Sequence, residues 1–417
     1  MRFIFLNRYF YPDHSATSQI LSDLAFYLAA RGESVHVVTS RQCYDWRHAR
    51  LPAREAVQGV QIQRVGGTRF GRRALAGRAM DYLSFYAIAA WWLLRLARRG
   101  DVVIAKTDPP MLSVLVALIA PVRGFRIVNW LQDLYPEIAA ELGVRAAKGL
   151  AGRMLVSVRN RSLKRATINV AIGEDMAAKL RALGVPADKI CVIPNWADDK
   201  AITPIDRAAN PLRAQWGMSD KFVAAYSGNL GRAHDSLTVL RAAEQLQDRD
   251  DIVFLFVGGG HGIAELEAQA RKRGLKNLMF QPYQSRTTLA RSLAVGDVHW
   301  LSLQSGLDGL VLPSKFYGIA AAGRPIIVVG SPDGELAKLV VEWDSGFHIE
   351  LGQSEDFART IVSLAGDRQL SRRMGLNARR MLEKRFTKER ALERWYGVLR
   401  TIQDVTPAQP DHHCIHA

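Results

Sequence analysis

The chain has 417 residues, 48% of them apolar and 23% charged, a balance that excludes a disordered or fibrous protein. This length suits two domains of about 200 residues each. The three cysteines are far apart and match no metal-binding spacing, which argues against a disulfide framework and favours a reducing, cytoplasmic compartment. The N-terminus lacks the apolar core of a signal peptide, and no apolar stretch reaches the roughly 18 residues that span a bilayer.

The formal net charge of +16 is concentrated in the first half of the chain. Residues 1–200 contain 29 Lys and Arg against 16 Asp and Glu, whereas residues 201–417 contain 27 against 24. Within the first half, residues 41–99 hold 12 arginines and three acidic residues. Eight aromatic residues lie among these arginines: Tyr44, Trp46, Phe70, Tyr82, Phe85, Tyr86, Trp91 and Trp92. Such a segment fits an anionic membrane surface, a nucleic acid or a solvated basic face with core aromatics.

Residues 80–99 (MDYLSFYAIAAWWLLRLARR) predict an apolar helix that ends in arginines. Arginines in this position extend to a polar interface while the apolar face is buried in lipid. We therefore favour an anionic membrane over a nucleic acid, for which the chain contains no recognition motif. The expected protein is peripheral on the cytoplasmic face of the cell membrane.

Short apolar strands alternate with helix-length amphipathic segments, a pattern typical of parallel α/β units. The first half predicts strands at 2–7, 34–39, 102–105, 126–131, 167–172 and 190–193. The second half repeats the pattern at 222–227, 252–257, 277–280, 297–301, 325–329 and 347–349. The fold class is therefore α/β, with two doubly wound, Rossmann-like domains that face each other across a cleft.

The domain boundaries follow from this pattern. Residues 194–211, rich in Pro, Asp and Asn, predict a linker between the two series of strands. We predict an N-terminal domain at 1–200, a C-terminal domain at 212–385, a helix at 386–405 that packs back on the N-terminal domain, and a disordered tail at 406–417.

In the first domain, the edge where the parallel strands end is the expected ligand site. Strand 2–7 leads into a helix at 17–31, and Ser15 and Thr17 are small enough to let a ligand approach the helix N-terminus. Strand 126–131 brings Gln132 and Asp133 to the same edge. A carboxylate there is placed for proton or hydroxyl handling, and helix capping explains Asp133 equally well.

In the second domain, strand 222–227 ends in YSGNLGRAHDS. Gly228 and Gly231 expose backbone N–H groups next to Arg232 and His234, and a helix follows. Glycine amides, a guanidinium and a helix N-terminus together predict a site for a diphosphate. Strand 252–257 runs into a second glycine turn, FVGGGHG, which lacks the spacing of a Walker or dinucleotide fingerprint.

Residues 308–329 (DGLVLPSKFYGIAAAGRPIIVV) present Asp308-Gly309 and Ser314-Lys315 to the same cleft. Ser314 is predicted to cap the helix that starts at Lys315. A lysine in the first turn of a helix opposes the helix dipole, so it is badly placed unless a dianion binds nearby. The loop is therefore predicted to hold phosphate and sugar.

Several segments, in this order and spacing, resemble a glycosyltransferase of the GT-B fold, family 4, whose members retain the anomeric configuration of the sugar. They are YPDHSATS (11–18), VIPNWAD (192–198), YSGNLG (226–231), FVGGG (256–260) and LPSKFYGIAAAGRPIIVV (312–329). The similarity covers nearly the whole chain. It is strongest to the subgroup that builds bacterial exopolysaccharide and O-antigen, including colanic-acid fucosyltransferases and N-acetylfucosaminyltransferases.

The resemblance implies that the C-terminal domain binds a UDP- or GDP-sugar and that the N-terminal domain binds a lipid-linked saccharide acceptor. The first glutamate of the family's acidic pair aligns with Asp308, next to Gly309, and would contact hydroxyls of the donor sugar. The second, which holds the ribose, falls on Gly318 because the intervening segment is longer here than in typical members. The main chain near Pro282 and Tyr283 would contact the base.

The phosphate contacts of the family are also shifted in this sequence. Asn229 occupies the usual place of the arginine, so the resemblance assigns phosphate binding to Arg232, Lys315 and His234. Those cations and backbone amides would stabilise the departing diphosphate.

By the same resemblance, Asp133 orients or deprotonates the acceptor hydroxyl, with Gln132 beside it. Retention without an enzymic nucleophile implies attack from the face of the leaving group, whose β-phosphate takes the proton. No cofactor and no metal are expected. The Asp-x-Asp sequence at 248–250 precedes a strand, on the edge away from the cleft, and predicts a turn.

Two other functions stay open. A sugar-nucleotide epimerase of the same fold would bind the donor without a lipid acceptor, but the basic N-terminal domain argues against it. A non-catalytic scaffold subunit of a polysaccharide assembly complex would explain the incomplete acidic pair. The base-facing residues do not distinguish a uridine from a guanosine donor.

Overall fold

The computed structural model describes residues 2–43, 51–71, 75–144 and 147–404. Within these ranges the chain forms two sheets, one mostly and one wholly parallel, each covered by helices on both faces. The expected tail at 406–417 and the aromatic residues Tyr44 and Trp46 lie outside the described residues.

The N-terminal domain contains a sheet of eight strands. They are β1 (Arg2–Leu6), β2 (Ser34–Ser40), β3 (Arg54–Val57), β4 (Val60–Val65), β5 (Val102–Ala105), β6 (Arg126–Leu131), β7 (Ile168–Ala171) and β8 (Ile190–Val192). Their order is β3-β4-β2-β1-β5-β6-β7-β8, and only β3 and β4 pair antiparallel. The α-helices in the described part of this half are α1 (Ala16–Ala30), α2 (Leu75–Leu96), α3 (Leu112–Arg123), α4 (Glu137–Glu141), α5 (Gly149–Arg165) and α6 (Glu174–Ala182).

The C-terminal domain contains a six-stranded, all-parallel sheet. Its strands are β9 (Phe222–Asn229), β10 (Ile252–Gly259), β11 (Leu278–Gln281), β12 (Val298–Ser302), β13 (Ile326–Val329) and β14 (Gly346–Ile349), in the order β11-β10-β9-β12-β13-β14. Its helices are α7 (Pro211–Gln215), α8 (Leu237–Gln245), α9 (His261–Lys272), α10 (Leu289–Leu293), α11 (Lys315–Ala321), α12 (Glu335–Glu342), α13 (Ser354–Gly366) and α14 (Arg368–Arg385). The last helix, α15 (Lys388–Asp404), crosses back to the other domain.

Each sheet reverses its winding direction beside one central strand. β1 lies between β2 and β5, and β9 lies between β10 and β12. Open α/β sheets bind ligands at the carboxyl ends of strands next to such a reversal. The prediction of two doubly wound Rossmann-like sheets is confirmed, and it places both candidate half-sites at these strand ends.

One hairpin differs from the expected pattern. The apolar pattern predicts no strands at residues 54–65, which form β3 and β4 around a Gln58-Gly59 turn. Both turn residues have positive φ angles, 47° and 82°, as the two-residue turns of antiparallel hairpins require. β3 is the exposed edge strand and carries no apolar run, which is why the apolar pattern missed it.

Both faces of the N-terminal sheet are apolar, as a buried parallel sheet requires. α2 and α3 cover one face, where Ile4, Leu6, Val103 and Phe85 are buried together. α1 and α15 cover the other, and the Trp395 ring of α15 lies 4.4 Å from that of Trp130 in β6. The C-terminal segment therefore completes the core of the N-terminal domain.

The two domains touch along one side of the cleft. Leu303, Leu307 and Leu310, in the loop after β12, are buried against Leu131 and Leu134 of the N-terminal domain. Beside them, the N-termini of α6 and α12 face each other. The backbone N–H of Asp175 donates to Glu335 Oε2 (3.2 Å), and the N–H of Glu335 donates to Asp175 Oδ2 (2.9 Å). Each carboxylate thus accepts a hydrogen bond from the helix start of the opposite domain.

No helix within the described ranges is both long and apolar enough to cross a bilayer. This holds for α2 as well, the helix that the sequence predicts at a membrane interface.

Candidate active site

The donor half of the site forms where β9 ends beside the start of α11. Lys315 Nζ donates to Tyr226 Oη (2.6 Å), lies 3.2 Å from His234 Nε2, and sits 4.3 Å from the centroid of the Tyr226 ring. A Cβ on Gly228 would be 3.5 Å from Lys315 Cε. The structure therefore brings together three of the predicted phosphate-site residues: Gly228, His234 and Lys315.

The protonation states in this cluster follow from its contacts. His234 Nδ1 lies 2.6 Å from the carbonyl oxygen of Ser302, so Nδ1 carries the proton and Nε2 can accept from Lys315. Burial lowers the pKa of His234 to about 3, helped by the Lys315 charge. Burial also lowers the pKa of Lys315 to about 7. No carboxylate of the described residues pairs with Lys315, so the site has an uncompensated cation that suits an anionic ligand.

Two glycine turns are stacked next to this cluster. A Cβ on Gly258 would be 2.3 Å from the Gly228 carbonyl oxygen, and one on Gly260 would be 2.4 Å from Asn229 Oδ1. Both glycines have positive φ angles, 138° and 110°. Only glycine fits here, because the two backbones are in direct contact. This close stacking forms the floor of the donor half.

The remaining predicted donor residues lie around this floor. Arg232 follows in the loop after β9, with an exposed side chain and no salt bridge to a described residue. Gly231 lies beside it, next to Asn229. Tyr283 is 48% exposed, and its ring covers Gly259, where a Cβ would be 2.8 Å from Tyr283 Cε2.

Asp308 and Gly309 lie against the N-terminal domain. A Cβ on Gly309 would be 2.7 Å from Lys179 Cε, and Asp308 Oδ1 would be 2.7 Å from a Cβ on Gly334. Burial raises the pKa of Asp308, and the Asp175 charge adds to this shift. The Asp308 carboxylate therefore lies beside the contact between α6 and α12.

The start of α11 differs from the sequence prediction at Ser314, and Gly318 lies within this helix. Ser314 has helical dihedral angles (φ −64°, ψ −20°) and makes no capping hydrogen bond, so the predicted cap is wrong. An N-cap needs an extended backbone for its side chain to reach the first free N–H groups. Gly318, where the resemblance implies a ribose-binding glutamate, faces Leu293 of α10, 3.5 Å from an added Cβ.

The acceptor half contributes Asp133, which the structure brings to the domain boundary. Asp133 forms an isolated antiparallel bridge with Val311, and the N–H of Leu134 donates to the Leu310 carbonyl oxygen (2.8 Å). Helix capping does not explain Asp133, because the next helix, α4, begins at Glu137 after Pro136. The acceptor candidate thus lies directly against the loop that leads to Lys315.

Gln132, the residue before it, is paired with another side chain of the N-terminal domain. Its amide is buried and exchanges two hydrogen bonds with the Asn195 amide, at 3.1 Å and 2.9 Å. The sequence predicts an acceptor contact for Gln132, which stays a prediction, and the structure adds this amide pair. β6 ends at Leu131, so Gln132 and Asp133 lie in the segment just past the strand.

At the first helix, Ser15 and Thr17 lie where the sequence places them. Ser15 is the N-cap of α1, and its own N–H donates to Asp13 Oδ1 (2.8 Å). The Thr17 carbonyl oxygen accepts from Lys106 Nζ (3.1 Å). The N-terminus of α1 therefore lies at the edge of the sheet where β5 and β6 end.

Two charged residues at this edge of the sheet were not predicted from the sequence. Lys106 and Asp108 follow β5 directly, and both act on the Asp133 charge. Burial raises the pKa of Asp133 to about 7; Asp108 raises it as well, and Lys106 opposes this rise. The sequence feature that indicates them is KTDPP, a charged run directly after the buried strand VVIA.

Arg8 is a further residue of this edge that the sequence analysis did not identify. It is 5% exposed, donates to Gln42 Oε1 (2.9 Å), and its guanidinium lies 5.2 Å from the centroid of the Tyr82 ring in α2. Tyr86, also in α2, donates to the Pro110 carbonyl oxygen. The N-terminal half of α2 therefore borders the acceptor half of the site.

The Asp-x-Asp sequence does not form part of the cleft. Residues 247–251 are a turn before β10, where Arg249 pairs with Asp251 (2.8 Å). In the described ranges, no group of three or more acidic, histidine or cysteine residues is arranged to hold a metal ion.

Comparison with known proteins identifies the family. Residues 16–196 match the model of the glycosyl transferase 4-like domain, and residues 210–381 match that of the glycosyl transferases group 1. The two matches cover both domains and most of the chain. The chain is a glycosyltransferase. Its fold is the GT-B arrangement of two Rossmann-like domains, as the sequence resemblance predicts.

Relatives of this glycosyltransferase include two bacterial proteins. One, from Escherichia coli K12, is named as the colanic acid biosynthesis glycosyl transferase WcaI; it is 29% identical over 345 residues, which is 79% of this chain and 83% of that protein. The other is named as the glycosyltransferase WbjE of Pseudomonas aeruginosa, 28% identical over 73% of this chain and 76% of that protein.

Among solved structures, Anabaena HepE in complex with UDP-glucose has a similar fold. The TM-score is 0.70 at 17% identity, over 96% of this chain and 100% of that one. At this identity the likeness shows the fold of the glycosyltransferase and no more.

Proposed function

We propose that this glycosyltransferase moves a sugar, with retention of configuration, from a UDP- or GDP-sugar to a lipid-linked saccharide in bacterial surface polysaccharide synthesis. The main support for this proposal is the Lys315 cluster, in which the ammonium group contacts neutral partners beside two stacked glycine turns. Such a cluster suits a diphosphate. WcaI, named for colanic acid biosynthesis, and HepE, solved with UDP-glucose, support the pathway and the donor class.

In the proposed donor complex, the diphosphate lies against Lys315, Arg232 and the N–H groups of the glycine turns. Because burial lowers the pKa of Lys315 to about 7, a bound dianion raises that pKa and the complex takes up a proton near neutral pH. Asp308 with Gly309 is the proposed contact of the sugar, and Tyr283 that of the base. The proposed reaction needs no metal ion and no cofactor.

The transfer itself exchanges one bond for another. The acceptor oxygen bonds to the anomeric carbon, the bond from that carbon to the diphosphate breaks, and the hydroxyl proton goes to a diphosphate oxygen. The Asp133 carboxylate accepts a hydrogen bond from the acceptor hydroxyl and orients it. Lys315 and Arg232 stabilise the charge that develops on the diphosphate, and such preorganised stabilisation is usually the largest catalytic contribution.

Calorimetry and product analysis test this function. UDP- and GDP-sugars are titrated into the protein at pH 7.5 in two buffers of different ionisation enthalpy; we expect one nucleotide to bind with net proton uptake. Donor, protein and a lipid-diphosphate saccharide are then incubated together. A glycosylated lipid supports the proposal. Isomerised nucleotide sugar without transfer indicates an epimerase, and tight binding without turnover indicates a scaffold subunit.

We also propose that the N-terminal domain docks on an anionic bilayer through α2, α3 and α5. Sixteen large apolar side chains are exposed in the described ranges, and ten of them lie on these three helices, which pack side by side. The ten are Met80, Leu83, Trp91, Leu94, Leu118, Val122, Leu150, Met154, Leu155 and Val158. Apolar surface so concentrated marks an interaction site.

Basic side chains border this apolar surface, which favours a bilayer over an apolar protein partner. The Arg95 guanidinium lies 4.5 Å from the centroid of the Trp91 ring. Arg153, Arg161 and Lys164 line an open groove along α5. Apolar side chains with flanking cations are the composition that binds anionic lipid headgroups and the acyl boundary together.

A further inference from the structure

Two short chains of hydrogen bonds start at Lys315, and each ends on a main-chain carbonyl. In the first, Lys315 Nζ donates to Tyr226 Oη (2.6 Å), and Tyr226 Oη donates to the Asn229 carbonyl oxygen (2.9 Å). In the second, Nζ donates to His234 Nε2 (3.2 Å), and His234 Nδ1 donates to the Ser302 carbonyl oxygen (2.6 Å). Tyr226 has no role in the proposed reaction, although it contacts the lysine most closely.

The direction of these hydrogen bonds follows from the groups that make them. A carbonyl oxygen can only accept, so the tyrosine hydroxyl proton and the one proton of the neutral imidazole are committed to the two carbonyls. Tyr226 Oη and His234 Nε2 are thereby left as acceptors. An ammonium group has three N–H donors, and these acceptors take two of them. The third N–H of Lys315 is left for a ligand, whereas Tyr226 and His234 have no proton to donate to a phosphate.

The packing around both acceptors fixes them in place. Tyr226 is fully buried, and its ring centroid lies 4.6 Å from that of Trp300 in the neighbouring strand β12. Asp235, the residue after His234, exchanges two hydrogen bonds with the Ser302 hydroxyl: its N–H donates to Oγ (2.9 Å), and its carbonyl oxygen accepts from Oγ (2.8 Å). A cation between such rigid acceptors loses little conformational freedom when a ligand binds.

We propose that Tyr226 and His234 are positioning residues, which orient Lys315 so that its third N–H donates to the diphosphate of the donor. The proposal rests on the proposed donor site and adds to it two residues that act through the lysine. Lys315 Cε lies beside the Gly228 turn, 3.5 Å from the position of an added Cβ, so the ammonium group is held next to the glycine floor. His234, for which the resemblance implies a phosphate contact, acts here as an acceptor for Lys315.

A double-mutant cycle tests the role of Tyr226. Inorganic diphosphate, UDP and GDP are titrated by calorimetry into the wild type, Tyr226→Phe, Lys315→Met and the double variant. Tyr226→Phe keeps the ring and removes the hydroxyl, so affinity should fall about tenfold, which one hydrogen bond to a charged group accounts for. In the Lys315→Met background the same substitution should change affinity by less than about twofold, because the group that the hydroxyl orients is absent.

Tyr317→Phe is the matched control for the loss of a buried hydroxyl. Tyr317 lies in the same helix as Lys315 and is 2% exposed, and its ring centroid lies 5.3 Å from that of Phe386. Thermal midpoints of both phenylalanine variants are measured beside their affinities. Tyr317→Phe should keep the wild-type affinity for diphosphate. An equal loss of affinity in Tyr317→Phe would overturn the proposal, since stability rather than orientation would then explain the effect.

Two substitutions and an NMR measurement test His234. His234→Leu removes the acceptor and should weaken diphosphate binding about tenfold, whereas His234→Gln, whose side-chain oxygen can accept from Lys315, should keep most of the affinity. In 15N spectra, with the ring signals assigned by their loss in His234→Gln, the proton should stay on Nδ1 with and without diphosphate. A direct phosphate contact requires a proton on Nε2, so its appearance on binding would overturn this role of His234.

The cycle and the transfer assay distinguish this proposal from the proposed function. Equal effects of Tyr226→Phe in the two backgrounds, or no effect in either, overturn the positioning role even if the wild type transfers sugar to a lipid-linked acceptor. If the effect depends on Lys315 but no sugar is transferred, the positioning role stands and the proposed function fails. If neither diphosphate nor nucleotide binds to the wild type, the donor site and the positioning role both fail.

Discussion

Lys106 and Lys315 share one unusual property: each is a lysine whose side chain contacts neutral partners. Lys106 follows a β-strand, and Lys315 lies in the first turn of a helix. Lys315 contacts Tyr226 and His234, and Lys106 contacts the Thr17 carbonyl oxygen and the Trp130 ring. Burial lowers the pKa of both to about 7. Perturbed groups of this kind cluster at functional sites, and here one lies in each half of the cleft.

Lys315→Met and Arg232→Ala should each reduce turnover by about 10²-fold, because each removes one cation from a preorganised anion site. Steady-state kinetics with the donor identified by calorimetry measures this loss. The thermal midpoint should not fall in either variant, since neither side chain forms a salt bridge with a described carboxylate. The control is Lys338→Met, an exposed lysine of α12. Wild-type turnover in both site variants would contradict the phosphate assignment.

Asp133→Asn should depress transfer while leaving nucleotide affinity within about twofold, because Asp133 belongs to the acceptor half of the site. The amide keeps the size of the side chain but loses the charge that orients the hydroxyl. Affinity is measured by calorimetry and transfer by product formation. A collapse of nucleotide binding in this variant would show that Asp133 supports the donor half or the fold.

The sequence predicted Lys315, His234 and Asp133 because each is a chemically distinctive residue directly after a recognisable strand or before a helix. It missed Lys106 and Arg8, although they also follow strands, since nothing in their neighbours along the chain distinguishes a buried lysine from a solvated one. Whether Lys106 and Arg8 are buried depends on α1 and α2, which are formed by other parts of the chain. The sequence did not predict the pairing of the Gln132 and Asn195 amides, because the two residues lie 63 positions apart in the chain.

At the scale of elements, the apolar and basic surface of the N-terminal domain depends on three helices rather than one. The sequence identified α2 from its run of aromatic and apolar residues. The exposed residues of α3 and α5, such as Leu118 and Met154, are ordinary members of amphipathic patterns and join this surface only because the helices are adjacent. The expected membrane segment is therefore broader than the sequence indicated.

Replacing Arg95, Arg98 and Arg99 with glutamate should abolish binding to anionic liposomes and spare activity on a soluble acceptor analogue. Each Lys or Arg near an anionic surface contributes about 1 kcal/mol, so three reversals remove several kcal/mol of attraction. Wild-type binding should weaken as salt shortens the Debye length. Sedimentation with vesicles of anionic and of neutral lipid measures both effects.

The matched control for this experiment lies in the other domain. Arg271, Lys272 and Arg273, at the end of α9, form an exposed basic triplet far along the chain from α2. Their replacement by glutamate changes the net charge by the same amount and should leave liposome binding nearly intact. Equal losses in both triple variants would mean that net charge, not the α2 surface, drives the attraction.

At the scale of the whole molecule, the reciprocal contact between Asp175 and Glu335 holds the two domains together on one side of the cleft. Burial raises the pKa of Glu335 to about 7, and the Asp175 charge adds to this rise. Since the folded pKa exceeds the ordinary value of 4.5, protonation of Glu335 stabilises the folded protein fully below pH 4.5 and progressively less as pH rises to 7.

Glu335→Gln should therefore gain thermal stability relative to the wild type as pH increases from 5 to 8. The amide oxygen can still accept from the Asp175 N–H, but it carries no charge to repel the Asp175 carboxylate. Thermal midpoints at pH 5 and pH 8 measure the change. Glu342→Gln, an exposed position in the same helix, is the control and should show no such trend. A constant difference between Glu335→Gln and wild type at both pH values would refute the shifted pKa.

The sequence by itself determined the two series of strands, the doubly wound class and the strand ends that carry the candidate phosphate site. These features are local: apolar periodicity defines each element, and the parallel connection fixes the edge to which its last residues go. Only the tertiary structure decided which side chains at those edges are buried, paired or exposed. Long-range contacts determine the position of Lys106 beneath α1, that of Asp308 against α6, and the three-helix apolar surface. No local sequence pattern gives the energies of such contacts.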